Sequence, residues 1–206
     1  MRRVLARLRQ AHGGRASALR FHDPWELLVA ALLSAQTTDA RVNKVTPALF
    51  ARFPNPAALA RASAAQVEPF IRSLGLHKNK AKALVGCARA IVADHHGTVP
   101  DDREELKKLP GVGHKTAGVV LAFGFGRQVL PVDTHVGRVA RRLGFSRETD
   151  PTKVEHDLTA LAPPDRLAEA HHLLIWHGRL VCQARAPLCP TCPVHRLCPY
   201  PAGLKR

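Results

Sequence analysis

Between its breakers, nearly every segment of this chain places apolar residues three and four apart, and no run alternates long enough to make a strand. Val4, Leu5 and Leu8 form an opening stripe. His22-Asp23-Pro24 is a start signal, with Asp23 at the N-cap and Pro24 at the first helical position of an apolar helix from Trp25 to Ser34. Val42, Val45 and Leu49 carry the pattern on until Pro54 and Pro56 punctuate it. Val67, Phe70 and Ile71 form another face, ended at Gly75; Leu84, Cys87, Ala88, Ile91 and Val92 form the next, ended near Gly97. Asp101 and Asp102 open a short helix to Leu109, which Pro110-Gly111-Val112-Gly113 breaks. Further helices are expected at about 114–125, 134–144, 151–161 and 165–180. The expected fold class is all-α, with about nine or ten short helices. A chain of 206 residues with 46% apolar content has material for one large domain or two small ones. Aromatics at only 5%, against plentiful Ala and Leu, agree with helix over sheet.

The formal charge is +15, and it is concentrated at the ends. Arg2, Arg3, Arg7, Arg9, Arg15 and Arg20 precede any acid, and no Asp or Glu follows Gly178. Such an excess suits a polyanion, because Lys and Arg displace counterions condensed on phosphates. Met1-Arg-Arg is followed by an interrupted helical pattern rather than the apolar core of a signal peptide. The apolar stretches Leu27–Leu33 and Ala117–Phe125 are too short to cross a bilayer. The expectation is a cytoplasmic, nucleoid-associated protein with no membrane partner.

In a reducing compartment, clustered cysteines read as metal ligands before they read as disulfides. Cys182, Cys189, Cys192 and Cys198 fall within seventeen residues, interleaved with Pro187, Pro190, Pro193 and Pro199. Four thiolates in a proline-stiffened loop suit an iron–sulfur centre or tetrahedral zinc, and the chemistry alone does not choose between them. Cys87, beside Leu84 and Ile91, reads as core.

The segment from Leu106 to Leu121 joins two helices through Pro110-Gly111-Val112-Gly113. Gly111 and Gly113 let the backbone approach a ligand closely, and the amides opening the second helix favour an anion. The same turn also serves as an ordinary connection between antiparallel helices. Lys107, Lys108, His114 and Lys115 make its surroundings basic. Lys115 opens an otherwise apolar helix, where the helix dipole and partial burial would lower its pKa and leave more neutral amine to attack carbon. A solvated first-turn lysine is the plain alternative. Asp133 precedes the stripe Val136, Val139 and Leu143, so it also reads as an N-cap.

The combination Leu33-Ser-Ala-Gln-Thr-Thr-Asp39, Gly75-Leu-His-Lys-Asn-Lys-Ala81, Leu109-Pro-Gly-Val-Gly-His-Lys-Thr-Ala117, Val132-Asp-Thr-His-Val136 and the four-cysteine tail resembles the endonuclease III family. That family belongs to the helix–hairpin–helix superfamily of DNA glycosylases. The resemblance runs in order from about Asp23 to Cys198. It implies two helical domains flanking a DNA-binding cleft. One is a six-helix barrel over 22–130 with its hairpin at about 106–125; the other joins 1–21 to 131–206. The second would hold a [4Fe-4S] cluster on Cys182, Cys189, Cys192 and Cys198. Lys115 matches the nucleophile and Asp133 the catalytic aspartate. Gln36 matches the residue that fills the gap left by an extruded nucleotide, and Leu76 matches a wedge into the opposite strand.

The implied enzyme is a monomeric DNA glycosylase/AP lyase acting on oxidised or reduced pyrimidines in damaged double-stranded DNA. His77, Lys78, Lys80, Lys82, Gly111, Gly113, His114 and Arg185 are the further expected DNA contacts, with Arg179 beside the cysteine loop. This chain departs from the common pattern at His114, His77 and Gly137, and the last two bear on lesion preference. Two alternatives remain at this stage. One is a glycosylase for mismatched or deaminated bases; the other is a non-catalytic helix–hairpin–helix module with a zinc-stabilised tail.

Overall fold

The computed structural model describes residues 1–15 and 17–200; residues 16 and 201–206, which the sequence reading assigned to the second domain, lie outside the described residues. All regular structure among the described residues is helical. The chain divides into two compact units, Ser17–Gly126 and a discontinuous unit of Met1–Ala16 with Arg127–Arg206. These cuts stand a few residues ahead of the expected 21/22 and 130/131. Leu130, fully buried, packs in the core of the discontinuous unit.

The continuous unit contains α2 (Pro24–Leu33), α3 (Asp39–Arg52), α4 (Pro56–Ala60), α5 (Ala64–Ile71), α6 (His77–Asp94), α7 (Arg103–Lys108), α8 (His114–Val119) and a π-helical turn at Val120–Gly124. Several starts follow directly from side chains. The Asp23 carboxylate accepts the Glu26 amide at 2.8 Å, and the Asp102 carboxylate accepts those of Glu104 and Glu105. Each satisfies donors that a helix N-terminus leaves unpaired. The sequence reading missed α4, taking Pro54 and Pro56 as punctuation. It is a single turn built by the device that starts α2: Asn55 accepts the Ala58 amide at 2.8 Å and Pro56 takes the first helical position. Ala64 to Ile71 opens on a reciprocal capping box between Ser63 and Gln66.

The core of this unit draws on Leu27, Leu28, Leu33, Leu49, Leu59, Ile71, Leu84, Ile91 and Leu106, all essentially inaccessible. Each contributes on the order of 1.5–3 kcal/mol by leaving water. Val92 was expected on the buried face of α6 but is exposed, because it stands a full 100° round the helix from Ile91. The expected helix 114–125 is α-helical only to Val119, then widens into the π turn. A Cβ on Gly124 would sit 3.4 Å from Pro24 and Leu27, so the widened turn lies close against the start of α2.

The discontinuous unit contains α1 (Arg2–His12), α9 (Thr134–Arg142), α10 (Pro151–Leu161) and α11 (Leu167–Leu180), then the cysteine loop with 3₁₀ turns at Cys189–Thr191 and His195–Leu197. Val4, Leu5 and Leu8 of α1 share one core with Val136, Val139 and Ala140 of α9 and Leu173 and Leu174 of α11. Gly178 lets α11 approach α9, since a Cβ there would meet the His135 Cβ at 3.0 Å. No helix among the described residues is long and apolar enough to cross a membrane.

Candidate active site and metal centre

In the continuous unit, the hairpin joins α7 to α8. Gly111 has φ +82°, and a Cβ there would press on Ala83 and Leu32 at 3.1 Å, so both conformation and space require glycine. Gly113 is the extended N-cap of α8 and has open space around it. Lys115 occupies the second position of α8 and is exposed. The partial burial expected for it is not found: the apolar face of the helix turns Ala117, Gly118 and Val120 inward and leaves Lys115 outside.

The basic surroundings also differ from expectation. Lys107 and Lys108 are engaged by Glu104 and Glu105 one turn earlier, with N–O separations of 2.9 and 2.6 Å, so their charges are largely offset. His114 Nε2 lies 2.8 Å from an Arg103 guanidinium nitrogen. A guanidinium only donates, so that ring nitrogen accepts.

Among the described residues, three non-glycine residues have positive φ: Gln36 (54°), Leu76 (59°) and His96 (53°). Such conformations cost about 1–2 kcal/mol and cluster at functional positions. Gln36 is exposed in the turn between α2 and α3, and Leu76, 52% exposed, is the left-handed N-cap of α6. Both residues singled out as DNA-intercalating are thus strained and turned to solvent. A 52% exposed leucine is otherwise an unfavourable use of apolar surface.

Along the first turn of α6, Lys78 is exposed, whereas Lys80 is only 7% exposed. The Lys80 amine has no hydrogen-bond partner among the described residues, and burial lowers its pKa. Lys80 therefore does not lie on the solvated, phosphate-facing surface expected of it; at the fourth position of α6 it turns inward beside Ala81 and Leu84. His77 Nδ1 stands 3.1 Å from Glu68 Oε1 without hydrogen-bond alignment.

In the discontinuous unit, Asp133 caps α9, its Oδ1 accepting the Val136 amide at 2.8 Å. The cap leaves the other carboxylate oxygen without a hydrogen bond among the described residues. Five residues on, Arg138 donates to the carbonyls of Gly178 and Cys182, at 2.8 and 3.0 Å. It ties the helix that Asp133 begins to the root of the cysteine loop. Gly137 is buried, and a Cβ would meet nothing closer than the flexible tip of Arg141 at 3.4 Å.

All four C-terminal cysteines are free and line one apolar pocket with Leu143, Val181, Leu188 and Val194. Burial raises the thiol pKa of Cys192 and Cys198. Two residues that sequence reasoning missed reach these sulfurs. Arg142 sets one guanidinium nitrogen 3.3 Å from Cys182 Sγ and 2.7 Å from the Gln183 carbonyl, donates to Ala184, and stacks 4.4 Å from the Tyr200 ring centre. His177 Nε2 stands 3.6 Å from Cys192 Sγ, and burial beside His12 pushes the His177 pKa down to about 4. In sequence both were polar residues on amphipathic helices, and only the loop folding back onto α9 and α11 reveals them. Arg185, in that loop, is exposed. Cys87 is core, its thiol pushed up to about 12 by burial.

No three His, Cys, Asp or Glu side chains among the described residues converge closely enough for a single metal ion. Tetrahedral zinc needs its sulfurs about 2.3 Å from one point, whereas an iron–sulfur cluster brings its own inorganic core and is met by thiolates at its corners. The four free thiols around one apolar pocket are the residues here that could hold a metal centre.

Comparison with known proteins agrees along the chain. Residues 29–164 match the HhH-GPD superfamily of base excision DNA repair proteins. Endonuclease III of Synechocystis is 48% identical over 198 residues, 95% of this chain and 90% of that protein. Endonuclease III of Escherichia coli is 41% identical over 96% of this chain and 93% of its own length. A trapped endonuclease III–DNA covalent intermediate superimposes with a TM-score of 0.94 at 40% identity, covering 100% of this chain and 97% of that one. A thermostable thymine-DNA glycosylase, at 23% identity and a TM-score of 0.89, shares the fold. The chain belongs to the endonuclease III family, DNA glycosylases with AP lyase activity within the HhH-GPD superfamily.

Proposed function

We propose that Lys115 is the nucleophile and Asp133 the supporting carboxylate of a glycosylase/lyase that removes oxidised or reduced pyrimidines from duplex DNA. The observation that carries this reading is an exposed amine in the first turn of α8, directly after the glycine turn, in a chain of this family. The target base is inaccessible inside a duplex, so the nucleotide is flipped out. Gln36 and Leu76, already projecting in strained conformations, occupy the vacated stack. Lys115 Nζ bonds to C1′ as the C1′–N bond breaks and the base leaves with that electron pair. The free oxygen of Asp133 offsets positive charge on the sugar and assists proton transfer. The resulting Schiff base acidifies C2′, and loss of that proton expels the 3′ phosphate. Amides at the start of α8, with Gly111, Gly113 and His114, hold a backbone phosphate without reading sequence. His77, Lys78 and Arg185 add DNA contacts; Lys80, being buried, is left out of that set.

In this reading the Ser17–Gly126 unit is the barrel that ends in the hairpin, and the discontinuous unit carries the cluster. Cys182, Cys189, Cys192 and Cys198 are the residues that would hold a [4Fe-4S] cluster. Bound there, such a cluster would supply cohesion to the loop that carries Arg185. The protein acts as a monomer on the nucleoid. Borohydride reduction on duplexes carrying thymine glycol, dihydrouracil, deaminated or mismatched bases, or an abasic site tests the assignment. A covalent adduct on the pyrimidine lesions and the abasic site is expected; no adduct on any of them refutes it.

A further inference from the structure

Three buried or half-buried groups of the discontinuous unit stand in line. His12, at the end of α1, and His177, near the end of α11, are 4% and 2% exposed. His12 Nε2 lies 3.2 Å from His177 Nδ1, and the rings are inclined at 49° with centroids 5.4 Å apart. On its other side, His177 Nε2 lies 3.6 Å from Cys192 Sγ. We propose that His12 and His177 form a two-ring hydrogen-bond relay that delivers one N–H to the Cys192 thiolate and raises the reduction potential of the cluster held there. The proposal rests on the cluster reading above.

The polarity of the line follows from chemistry. A ligating cysteine is a thiolate and accepts hydrogen bonds. The ring nitrogen facing it must therefore carry hydrogen, which places the His177 proton on Nε2. A neutral imidazole has only one N–H, so Nδ1 of His177 offers a lone pair. That lone pair is met by Nε2 of His12, which must donate, leaving His12 Nδ1 bare. His12 Nδ1 is buried and has no hydrogen-bond partner among the described residues, so the line of rings ends there. The opposite polarity would aim the His177 lone pair at an anionic sulfur. His12 thus acts on the cluster through His177, as a positioning residue that fixes its tautomer. A ligand's orientation and charge are commonly set by such outer partners. Hydrogen bonds to cluster sulfurs stabilise the more negative, reduced form and so raise its potential.

The relay places α1, the part of the discontinuous unit most distant in sequence, in contact with the metal centre's electronics. No substrate group takes part, so the effect is separable from glycosylase chemistry. The test uses the purified holoprotein. Iron and sulfide content is measured first, then the one-electron potential of the cluster by film voltammetry, for wild type, His177→Phe, His177→Gln and His12→Phe. At equal iron content, His177→Phe is expected to shift the potential to a more negative value. His177→Gln, whose amide retains a donor, should recover part of the shift, and His12→Phe should shift it in the same direction by less. Nitrogen-15 spectra of the histidine rings should show hydrogen on Nε2 and not on Nδ1 for both. An unchanged potential in a fully loaded His177→Phe protein, or hydrogen on Nδ1 of His177 in wild type, overturns the relay. If His177→Phe does not retain iron, His12→Phe and the ring spectra decide. Wild type purified with zinc and no sulfide refutes the cluster reading itself, a failure distinct from an iron-loaded protein whose potential ignores both histidines.

Discussion

The unit from Ser17 to Gly126 and the unit formed by the two ends of the chain differ in where they place the residues singled out above. In the first, Gln36, Leu76 and Gly111 stand exposed on turns between helices, and Lys115 stands exposed in the first turn of α8, while the core is complete without them. In the second, Arg138, Arg142, His12 and His177 are turned inward and tie α1, α9 and α11 to one loop. Apolar burial explains the contrast. Between Cys182 and Tyr200 the only buried residue is Val194, so that loop cannot be held by a core. It depends on guanidinium and imidazole donors and on whatever its thiols bind. The first unit can expose strained residues because its stability lies elsewhere.

That comparison gives four predictions. The largest effect concerns catalysis alone: Lys115→Ala should abolish the borohydride adduct and lower base excision by about three or more orders of magnitude. Unfolding in denaturant should change by no more than about 0.5 kcal/mol, since the side chain is exposed. A loss of several kcal/mol would make Lys115 structural and blur the contrast.

Next in size, Cys189→Ser should cost the loop its cohesion. Amide exchange over 182–198 should accelerate by about tenfold or more, while α2 and α6 keep their protection. Equal acceleration in both units would show that the cysteine loop stabilises the whole molecule.

Asp133 divides the two roles cleanly. Both Asp133→Asn and Asp133→Ala should lower activity by about a hundredfold or more. Only the alanine variant should lose about 1 kcal/mol of stability, because asparagine still caps α9.

The smallest effect on activity belongs to Gln36→Gly and Leu76→Gly. Relief of left-handed strain and the added freedom of the unfolded chain nearly cancel, leaving a net change within about 1 kcal/mol. Excision should nevertheless fall by about tenfold, measured on a single-lesion duplex, because the vacated stack is no longer filled.

Much of the fold was legible because helix starts are local. Asp23-Pro24, Asp102 and Asp133 each state their role within four residues, and the structure places each at a cap. Asn55-Pro56 carried the same signal for α4 and was passed over because one turn has too few residues to show a period. Side-chain direction was less legible. Lys80 and Lys78 are both lysines near the start of α6, and two residues of helical rotation bury one and expose the other. For Lys115 the helix position was readable but the burial was not. His177 and Arg142 could not be identified at all, since their partners lie 15 and 40 residues away and no periodicity links them.

The discontinuous unit also sets an order of assembly. Residues 17–126 leave the ribosome as a contiguous stretch with a core of their own, whereas α1, made first, must wait for α9 and α11 before Val4, Leu5 and Leu8 find cover. Joining those ends closes more than a hundred residues of chain, a penalty that grows only logarithmically and is smaller once the intervening stretch is compact. The thiol pocket therefore takes shape late, and whatever its four thiols bind cannot guide the early collapse of residues 17–126.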